Sequence, residues 1–470
     1  MTNSNKALGR GILVILVANI INMVFSLVTN FVLPKYLSVD TYAVIKTYQL
    51  YLSYAGLFHL GYSDGAYLKY GGKNFSSIDK HELAETTSTM RGFQFGVTLI
   101  VLAVSFVVQD SLIATFALGL FGYNMLGYFK NVYQAVGEFK NYSRVLNIVA
   151  ILNFVGNMAL IAVVRSDFPY AYISLYIFVD ILVWCILEWR TYKFLDVDVS
   201  FLAFDFHKLI QYIKDGILLL FGNLTSIFLT GMDRWFTKFL LLTVDFAQYS
   251  FAVSVENMLN VAITPISVTL YNYLCKRPST DKIKKLRAYV TIFSVFLVAA
   301  FFPAKFIIEI YLQNYYDALA VIAFLFASQI FYVIIKSIYV NLYNANHQQK
   351  RYFQVVLIVI VVGFLFNVIC YLSYHKKESF AFGTLCSAIV WYIICQIDFK
   401  NIALKLKEIL YIAFQLAAFL FFALSFNSII GFTGYILVTI IFTFVFMKQE
   451  FSELAQMGLD YICSLKRKHC

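Results

Sequence analysis

The chain has 470 residues, of which 61% are hydrophobic and 13% are charged, and its mean hydropathy is +0.74. Soluble globular proteins carry about a quarter charged residues, so this composition excludes an ordinary soluble fold. In lipid, backbone polar groups must be satisfied within helices or a closed barrel. The apolar runs are about twenty residues long, as helices require, whereas a barrel needs alternating runs of about ten.

The pattern predicts an all-α integral membrane protein of about fourteen transmembrane helices joined by short connections. The first apolar run is too long for a signal peptide and is expected to be the first span. The predicted spans are 10–33, 41–61, 88–108, 111–133, 143–164, 168–189, 214–238, 246–272, 287–311, 317–342, 352–374, 380–398, 406–426 and 428–447.

The net charge of +11 would also fit a nucleic-acid-binding protein, but the positions of the basic residues explain it differently. If the N-terminus is cytoplasmic, most of the 37 Lys and Arg residues lie on cytoplasmic segments, as the positive-inside rule requires. An even number of spans then places both termini in the cytoplasm. The sequence therefore predicts membrane lipids as surroundings and gives no separate support for a nucleic-acid partner.

A weak internal repeat appears when residue 19 is aligned with residue 223. Asn19 and Asn223 then begin two polar stripes that each lie on one helical face. Six spans separate the stripes, so the two halves run in the same direction, which is a common plan of secondary transporters. We predict two parallel six-helix lobes around a central cavity, with spans 1–6 in residues 1–200, spans 7–12 in 201–402, and two extra spans and a tail in 403–470.

Charged residues inside spans are the sharpest signal of function, because each costs a few kcal/mol at the bilayer centre. Six residues in the spans carry such charges, and three of them lie on faces with further polar residues. They are Lys46 on a face with Gln49 and Ser53, Asp180, the neighbours Asp233 and Arg234, Glu256 on a face continuing to Tyr271, and Lys336 on a stripe with Tyr332, Tyr339 and Tyr343.

Basic groups facing a cavity suit a phosphorylated substrate, because ammonium and guanidinium groups bind phosphate oxygens through charge-assisted hydrogen bonds. We therefore predict that Arg234, Lys46 and Lys336 bind substrate, together with Asn19, Asn223 and Tyr339. Asp233, Glu256 and Asp180 are predicted to couple transport to an ion. The alternative is that the acids and bases only neutralise each other, and that the polar stripes only form hydrogen bonds between helices.

No catalytic constellation and no metal site is predicted. The six histidines are scattered, no nucleophile-elbow, zincin or P-loop motif occurs, and the seven cysteines lack metal-ligand spacing. The sequence therefore predicts a protein that is not an enzyme and has no cofactor. Any energy coupling would use an ion gradient, with H+ or Na+ as the coupling ion, or a substrate gradient.

Several stretches resemble the Wzx-type polysaccharide flippases, within the superfamily that includes multidrug extruders and the lipid II flippase. The resemblance covers nearly the whole chain with loose motifs. These are residues 60–65 and 70–72, Asp233-Arg234 with residues 238–240, residues 249–252, Pro303 with residues 315–318, and residues 342–345.

The resemblance implies two six-helix lobes around a cavity that is often cationic, with two extra C-terminal helices. It implies alternating-access flipping of an undecaprenyl-pyrophosphate-linked oligosaccharide across a bacterial inner membrane, for O-antigen, capsule or exopolysaccharide, with other polysaccharide assembly proteins as partners. On this chain it singles out Arg234 as the cavity cation and Asp233 as its neighbour or coupling acid. Lys46 and Lys336 rest on physical reasoning alone.

Three other functions compete with the flippase. An ion-coupled drug or cation extruder of the same fold would favour a cavity dominated by carboxylates. A membrane polysaccharide polymerase or glycosyltransferase would need a substantial outer loop, and the short connections here argue against it. A structural scaffold would not explain the charges inside the spans.

Overall fold

The computed structural model describes residues 21, 24–71, 73, 75, 78–195, 204–454 and 456, which are helical along most of their length. No strand occurs in these parts of the chain, which confirms the expected all-α fold. Helices satisfy their backbone hydrogen bonds internally, as the hydrocarbon of a membrane requires.

The helices are numbered here in chain order. The first ten are α1 (residues 24–36), α2 (Val39–Ser53), α3 (Tyr62–Tyr70), α4 (Lys80–Val108), α5 (Ser111–Ala135), α6 (Phe139–Ala159), α7 (Pro169–Leu195), α8 (Phe206–Leu240), α9 (Thr243–Asn257) and α10 (Asn260–Leu274). The remainder are α11 (Thr280–Leu297), α12 (Phe301–Tyr311), α13 (Leu319–Ile334), α14 (Val340–Ala345), α15 (Gln349–Tyr374), α16 (Lys377–Asp398), α17 (Leu406–Ser425) and α18 (Ser428–Phe446).

Among the described residues, eleven helical segments are long and apolar enough to cross a membrane, and the bent pair α9–α10 makes up to twelve. This indicates a multi-pass membrane protein. Of the other two predicted spans, 10–33 falls largely on residues outside the described part. The span 41–61 corresponds to α2 and a 3-10 turn at Ala55–His59. The connection expected at 62–87 contains α3 and the start of α4.

Several helices begin at polar residues that cap their free backbone N–H groups. Asp79 accepts hydrogen bonds from the start of α4, and Asp110 accepts from the start of α5, where the Leu112 N–H lies 2.7 Å from its carboxylate. Asn427 caps α18 in the same way. These caps fix where each span begins, because the first four N–H groups of a helix have no partner within it.

The chain divides into two compact units, Met1–Gly231 and Met232–Cys470, so the division falls inside α8. In the first unit α5 packs against α2, α3, α4 and α7. Tyr62 of α3 stacks on Tyr212 of α8, with ring centroids 5.1 Å apart, and its hydroxyl donates to the Thr86 carbonyl of α4. The lobe boundaries expected from the sequence stay predictions.

In the second unit α13 is almost entirely buried and packs against α9, α11, α16 and α17. Rings of Phe301, Phe302, Phe419 and Tyr435 join α12, α17 and α18 at centroid distances of 5.4 to 6.1 Å. Burying such large rings stabilises the packing of the last two helices. The core of this unit is therefore built around one central helix, and the candidate site lies beside it.

Candidate substrate and coupling site

The span predicted at 246–272 is broken rather than straight. Helix α9 ends at Asn257 and α10 begins at Asn260, with a bend of 43° between them. The expected polar face from Glu256 to Tyr271 assumed one continuous helix, and this break makes that assumption wrong. Pro265 lies in α10, beyond the break. Glu256 therefore sits in the last turn of α9, where the chain changes direction.

A π turn interrupts the central helix of the second unit at Ile335–Tyr339, and it contains Lys336. The Ser267 hydroxyl of α10 donates to the Lys336 carbonyl over 3.0 Å, and the Asn341 amide of α14 donates to the Ser337 carbonyl over 2.9 Å. Side chains from two helices thus satisfy backbone groups at the irregularity. Single π turns inside helices are frequent at functional sites.

Asp233 lies within a network of hydrogen-bond donors from three other helices. Its Oδ1 accepts from the Asn367 amide of α15 over 2.7 Å. Its Oδ2 accepts from the Tyr249 hydroxyl of α9 over 3.0 Å and from the Thr384 hydroxyl of α16. Donors of this kind compensate a carboxylate for the loss of water.

The second acid, Glu256, accepts a hydrogen bond from the Gln329 amide of α13. Lys336 and Arg234 both act electrostatically on Glu256, and Arg234 also acts on its neighbour Asp233. The Lys336 ammonium lies 5.6 Å from the centroid of the Tyr332 ring. We call Asp233, Arg234, Glu256 and Lys336 the acid–base cluster. Its four formal charges cancel.

Tyr339, which was predicted on one stripe with Lys336, is fully buried, and its hydroxyl binds α16 and not the acid–base cluster. Its hydroxyl accepts from the Gln396 amide of α16 over 2.6 Å. Tyr343, the next tyrosine of the stripe, donates to Asp398, which also pairs with Arg351. Both tyrosines therefore bind α16, and their role in binding substrate stays a prediction.

In the first unit Lys46 is 7% exposed and donates to Asn30 Oδ1 over 3.3 Å. Asn30 donates in turn to the Ser26 hydroxyl over 3.2 Å. Ser26 and Asn30 lie on the helical face that begins at Asn19, so Asn30 joins this predicted polar stripe to Lys46 of α2. Asn19, which begins that stripe, lies outside the residues that the structure describes.

Asp180 is nine-tenths buried on α7 and faces α5, where its Cβ lies beside Gly122. Lys130 of α5 acts electrostatically on Asp180 and lies 5.9 Å from the Tyr123 ring centroid. The structure makes Lys130 the neighbouring cation of Asp180, which the sequence analysis left without a partner.

Asn223 is exposed on α8, and its amide lies 3.4 Å from Asp64 Oδ1 of α3. The other carboxylate oxygen of Asp64 lies 4.0 Å from His59 Nδ1, a nitrogen that already accepts from the Gly61 N–H. Burial raises the pKa of Asp64 to about 6. The cause is desolvation of the charged form. Asp64, which was not predicted as a site residue, therefore joins Asn223 and His59.

Helices α3 and α8 cross at three glycines next to Asp64. A Cβ at Gly216 would overlap the Gly61 carbonyl and the Gly65 backbone nitrogen, and a Cβ at Gly65 would overlap the Tyr212 carbonyl. Gly61 has a φ of 89°, in the left-handed region that favours glycine. The small residues let the two backbones touch, which holds Asp64 in its buried position.

The family and curated-protein comparisons find no match to this chain. Among solved structures, it resembles the lipid II flippase MurJ in an inward closed conformation, with a TM-score of 0.62 and 15% identity, covering 92% of this chain and 98% of MurJ. The chain has the fold of MurJ. The chain also matches a eukaryotic MATE transporter, with a TM-score of 0.49 and 12% identity, covering 89% of this chain and 99% of that one. It matches an inward-facing multidrug resistance MATE transporter of the MOP superfamily with a TM-score of 0.48 and 11% identity, covering 82% of this chain and 95% of that one.

The structure adds partners that the sequence analysis did not select. Asn367, Thr384 and Gln329 each place a polar group on an acid of the acid–base cluster. Each is a polar residue within an apolar span, and that is the signal that could have found them. Within the described residues, no group of three or more His, Cys, Asp or Glu side chains could hold a metal ion.

Proposed function

We propose that the protein is a flippase that moves an undecaprenyl-pyrophosphate-linked oligosaccharide across a bacterial inner membrane by alternating access. The observation that carries the proposal is the fold shared with MurJ over nearly the full length of both chains. MurJ is named for flipping lipid II, so a lipid-linked cargo is the first candidate for this chain. Both termini would be cytoplasmic, with other polysaccharide assembly proteins as partners.

Two cations of the acid–base cluster support an anionic cargo. Arg234 and Lys336 lie in spans, where a charge is retained only at some cost in free energy. Guanidinium and ammonium groups bind phosphate oxygens through charge-assisted hydrogen bonds. In this proposal Arg234 binds the pyrophosphate, and Lys336 shares its charge between the cargo and Glu256.

The two acids of the cluster would couple flipping to H+ or Na+. Asp233 receives three hydrogen bonds from Asn367, Tyr249 and Thr384, whose oxygen atoms are the kind that hard cations prefer. Loading Asp233 with a proton or a cation would remove its negative charge and leave Arg234 freer to attract phosphate. Such a change links ion binding to cargo binding.

The test is surface polysaccharide in a strain lacking the protein, complemented with wild type, Arg234→Ala or Arg234→Lys. We expect deletion to abolish the polymer while lipid-linked repeat units accumulate on the cytoplasmic side. Arg234→Ala should fail to restore the polymer at normal membrane abundance, and Arg234→Lys should restore part of it. Arg277→Ala, at an exposed position of the same unit, is the control and should complement fully.

An ion-coupled extruder of drugs or cations is the second candidate, and one observation favours it. Asp233 and Glu256 balance Arg234 and Lys336, so the cluster has no net positive formal charge. In that case deletion would leave the polymer unchanged and make the strain sensitive to toxic organic cations. Normal polymer in the deletion strain would therefore overturn the flippase proposal.

A further inference from the structure

A crevice of about 380 Å³ lies between α6 and α7 of the first unit. The two helices are antiparallel neighbours, so the start of α6 and the end of α7 meet at one end. Arg144 of α6 and Arg190 of α7 both line the crevice there. Two guanidinium groups from different helices thus share one opening.

The rest of the crevice is mostly apolar. Buried Val145, Val183 and Leu187 line it, and each is no more than 7% exposed. Ile148 and Ile186 also line it and are 43% and 41% exposed. Exposed aliphatic side chains on membrane spans contact hydrocarbon chains, so the crevice opens toward lipid.

In the part of the chain that the structure describes, no carboxylate pairs with the two arginines of this crevice. Among the residues that the structure describes, neither Arg144 nor Arg190 forms an ion pair, and Arg144 makes only a 3.4 Å contact with Asn141 Oδ1. Glu138 is the one acid among the described lining residues, and it accepts from the Asn141 amide over 3.3 Å. The lining therefore carries a net formal charge of one positive unit.

Another crevice of the chain, in the second unit, is lined mainly by charged and polar residues. There Lys285 pairs with Glu453, and Arg287 pairs with Glu408. Lys405, Lys407 and Lys448 also line this second crevice, so its cations outnumber its acids as well. The crevice between α6 and α7 differs from it by combining two arginines with a mainly apolar lining.

We propose that the crevice between α6 and α7 binds an anionic glycerophospholipid, with the headgroup phosphate on Arg144 and Arg190 and an acyl chain along Ile148 and Ile186. Arginine is the side chain best suited to phosphate, because its planar donors match two oxygens at once. Basic pockets between spans near the membrane surface bind acidic headgroups in this way. The site lies apart from the acid–base cluster and does not depend on the proposed cargo.

The test uses the purified full-length protein in detergent, with native mass spectrometry and thermal unfolding as readouts. Phosphatidylglycerol is compared with phosphatidylcholine of the same acyl chains. We expect wild type to retain phosphatidylglycerol selectively and to be stabilised by it. The double variant Arg144→Gln/Arg190→Gln should bind it about thirtyfold more weakly, since two arginines near the surface together contribute about 2 kcal/mol.

A charge-matched control is Lys140→Gln/Lys193→Gln, which removes two exposed cations of α6 and α7 that do not line the crevice. It should bind phosphatidylglycerol as wild type does. Equal losses in both double variants would mean non-specific attraction to a basic surface and would overturn the proposal.

Ile148→Trp tests the chain-binding part, because it fills the crevice and keeps both arginines. We expect it to lose phosphatidylglycerol while keeping the thermal stability of the lipid-free protein. Unchanged binding by this variant would overturn the placement of the acyl chain. Glycerol phosphate is the last probe, and protection by it at millimolar concentration equal to that by the lipid would also overturn the proposal.

Discussion

Asn367 donates from its amide nitrogen to Asp233 over 2.7 Å, while its own side-chain oxygen is buried and accepts no hydrogen bond from the described part of the chain. That oxygen lies against Gly383 of α16, where a Cβ would overlap it. A buried acceptor without a donor costs free energy of about 1–3 kcal/mol. A proton or a cation at Asp233 would change which hydrogen bonds Asn367 can make. For this reason the proposed coupling centres on Asp233 and Asn367.

The first prediction concerns Gly383. Gly383→Ala should displace Asn367 from Asp233, because the added methyl group needs the space of the Asn367 oxygen. We expect a loss of stability of about 1–3 kcal/mol, as for other overpacked sites. We also expect loss of complementation in the polysaccharide assay. Thermal unfolding in detergent measures the first effect.

Gly96→Ala is the control for Gly383→Ala, because no atom lies within 4 Å of a Cβ at Gly96 of α4. This change should stabilise the helix slightly, by about 0.5–1 kcal/mol. If both variants behave alike, the close contact between Gly383 and Asn367 has no role in stability.

The second prediction concerns Asp233 itself. Asp233→Asn keeps the size of the side chain and can still accept from Tyr249 and Thr384, but it removes the charge. We expect a folded, normally abundant protein whose complementation falls to the level of the empty vector. Asp281→Asn, at a side chain that is 94% exposed, should complement fully. Full activity of Asp233→Asn would remove Asp233 from the coupling mechanism.

The third prediction compares two glycines of α8. Gly216→Ala should lower the thermal midpoint strongly, because its Cβ would overlap the backbone of α3 at Gly61 and Gly65. Gly222→Ala lies on the same helix with no atom within 4 Å of the added Cβ. It should leave stability unchanged or raise it slightly. Equal midpoints for the two variants would show that the crossing of α3 and α8 is not as close as described.

The fourth prediction is a pH dependence at Asp64. Burial raises its pKa from 3.8 to about 6, so the folded protein holds this proton more tightly than the unfolded chain does. The free energy of unfolding therefore falls as the pH rises from about 4 to about 6, and above that range it is lower by about 3 kcal/mol. Asp64→Asn removes the cost.

Thermal unfolding measured from about pH 4 to about pH 8 checks this, because that range contains the whole expected transition. Asp64→Asn should exceed wild type in stability at the high end of the range, and the difference should vanish at the low end. Asp215→Asn, at an exposed position of α8, should show no such trend. A constant difference between Asp64→Asn and wild type across the range would contradict the raised pKa.

Much of the fold follows from patterns that are local in the sequence. Helices α15 and α18, for example, coincide closely with the spans predicted at 352–374 and 428–447. Their apolar runs have the length that a membrane requires, and the polar Asn427 marks the start of α18. Helix α3 was missed because its Tyr, Ser, Asp and Gly residues do not form an apolar run.

The candidate site was predicted only in part. Asp233, Arg234, Glu256 and Lys336 were selected because charges inside spans are costly, and the structure brings these four together in the second unit. The break after Asn257 and the π turn at Ile335–Tyr339 were not predicted. Both depend on contacts such as Ser267 to the Lys336 carbonyl, which join residues far apart in the chain.

The sequence by itself determined that the chain is a helical membrane protein. It also determined which charged residues lie inside spans, where burying a charge costs free energy. Hydrophobicity and desolvation are properties of each residue and its near neighbours, so they can be read along the chain. Only the tertiary structure decided that Asn367 and Thr384 bind Asp233, that Lys130 lies near Asp180, and that Arg144 and Arg190 line one crevice. Those pairings depend on which helices pack together, and a helix turned by one residue would present a different face.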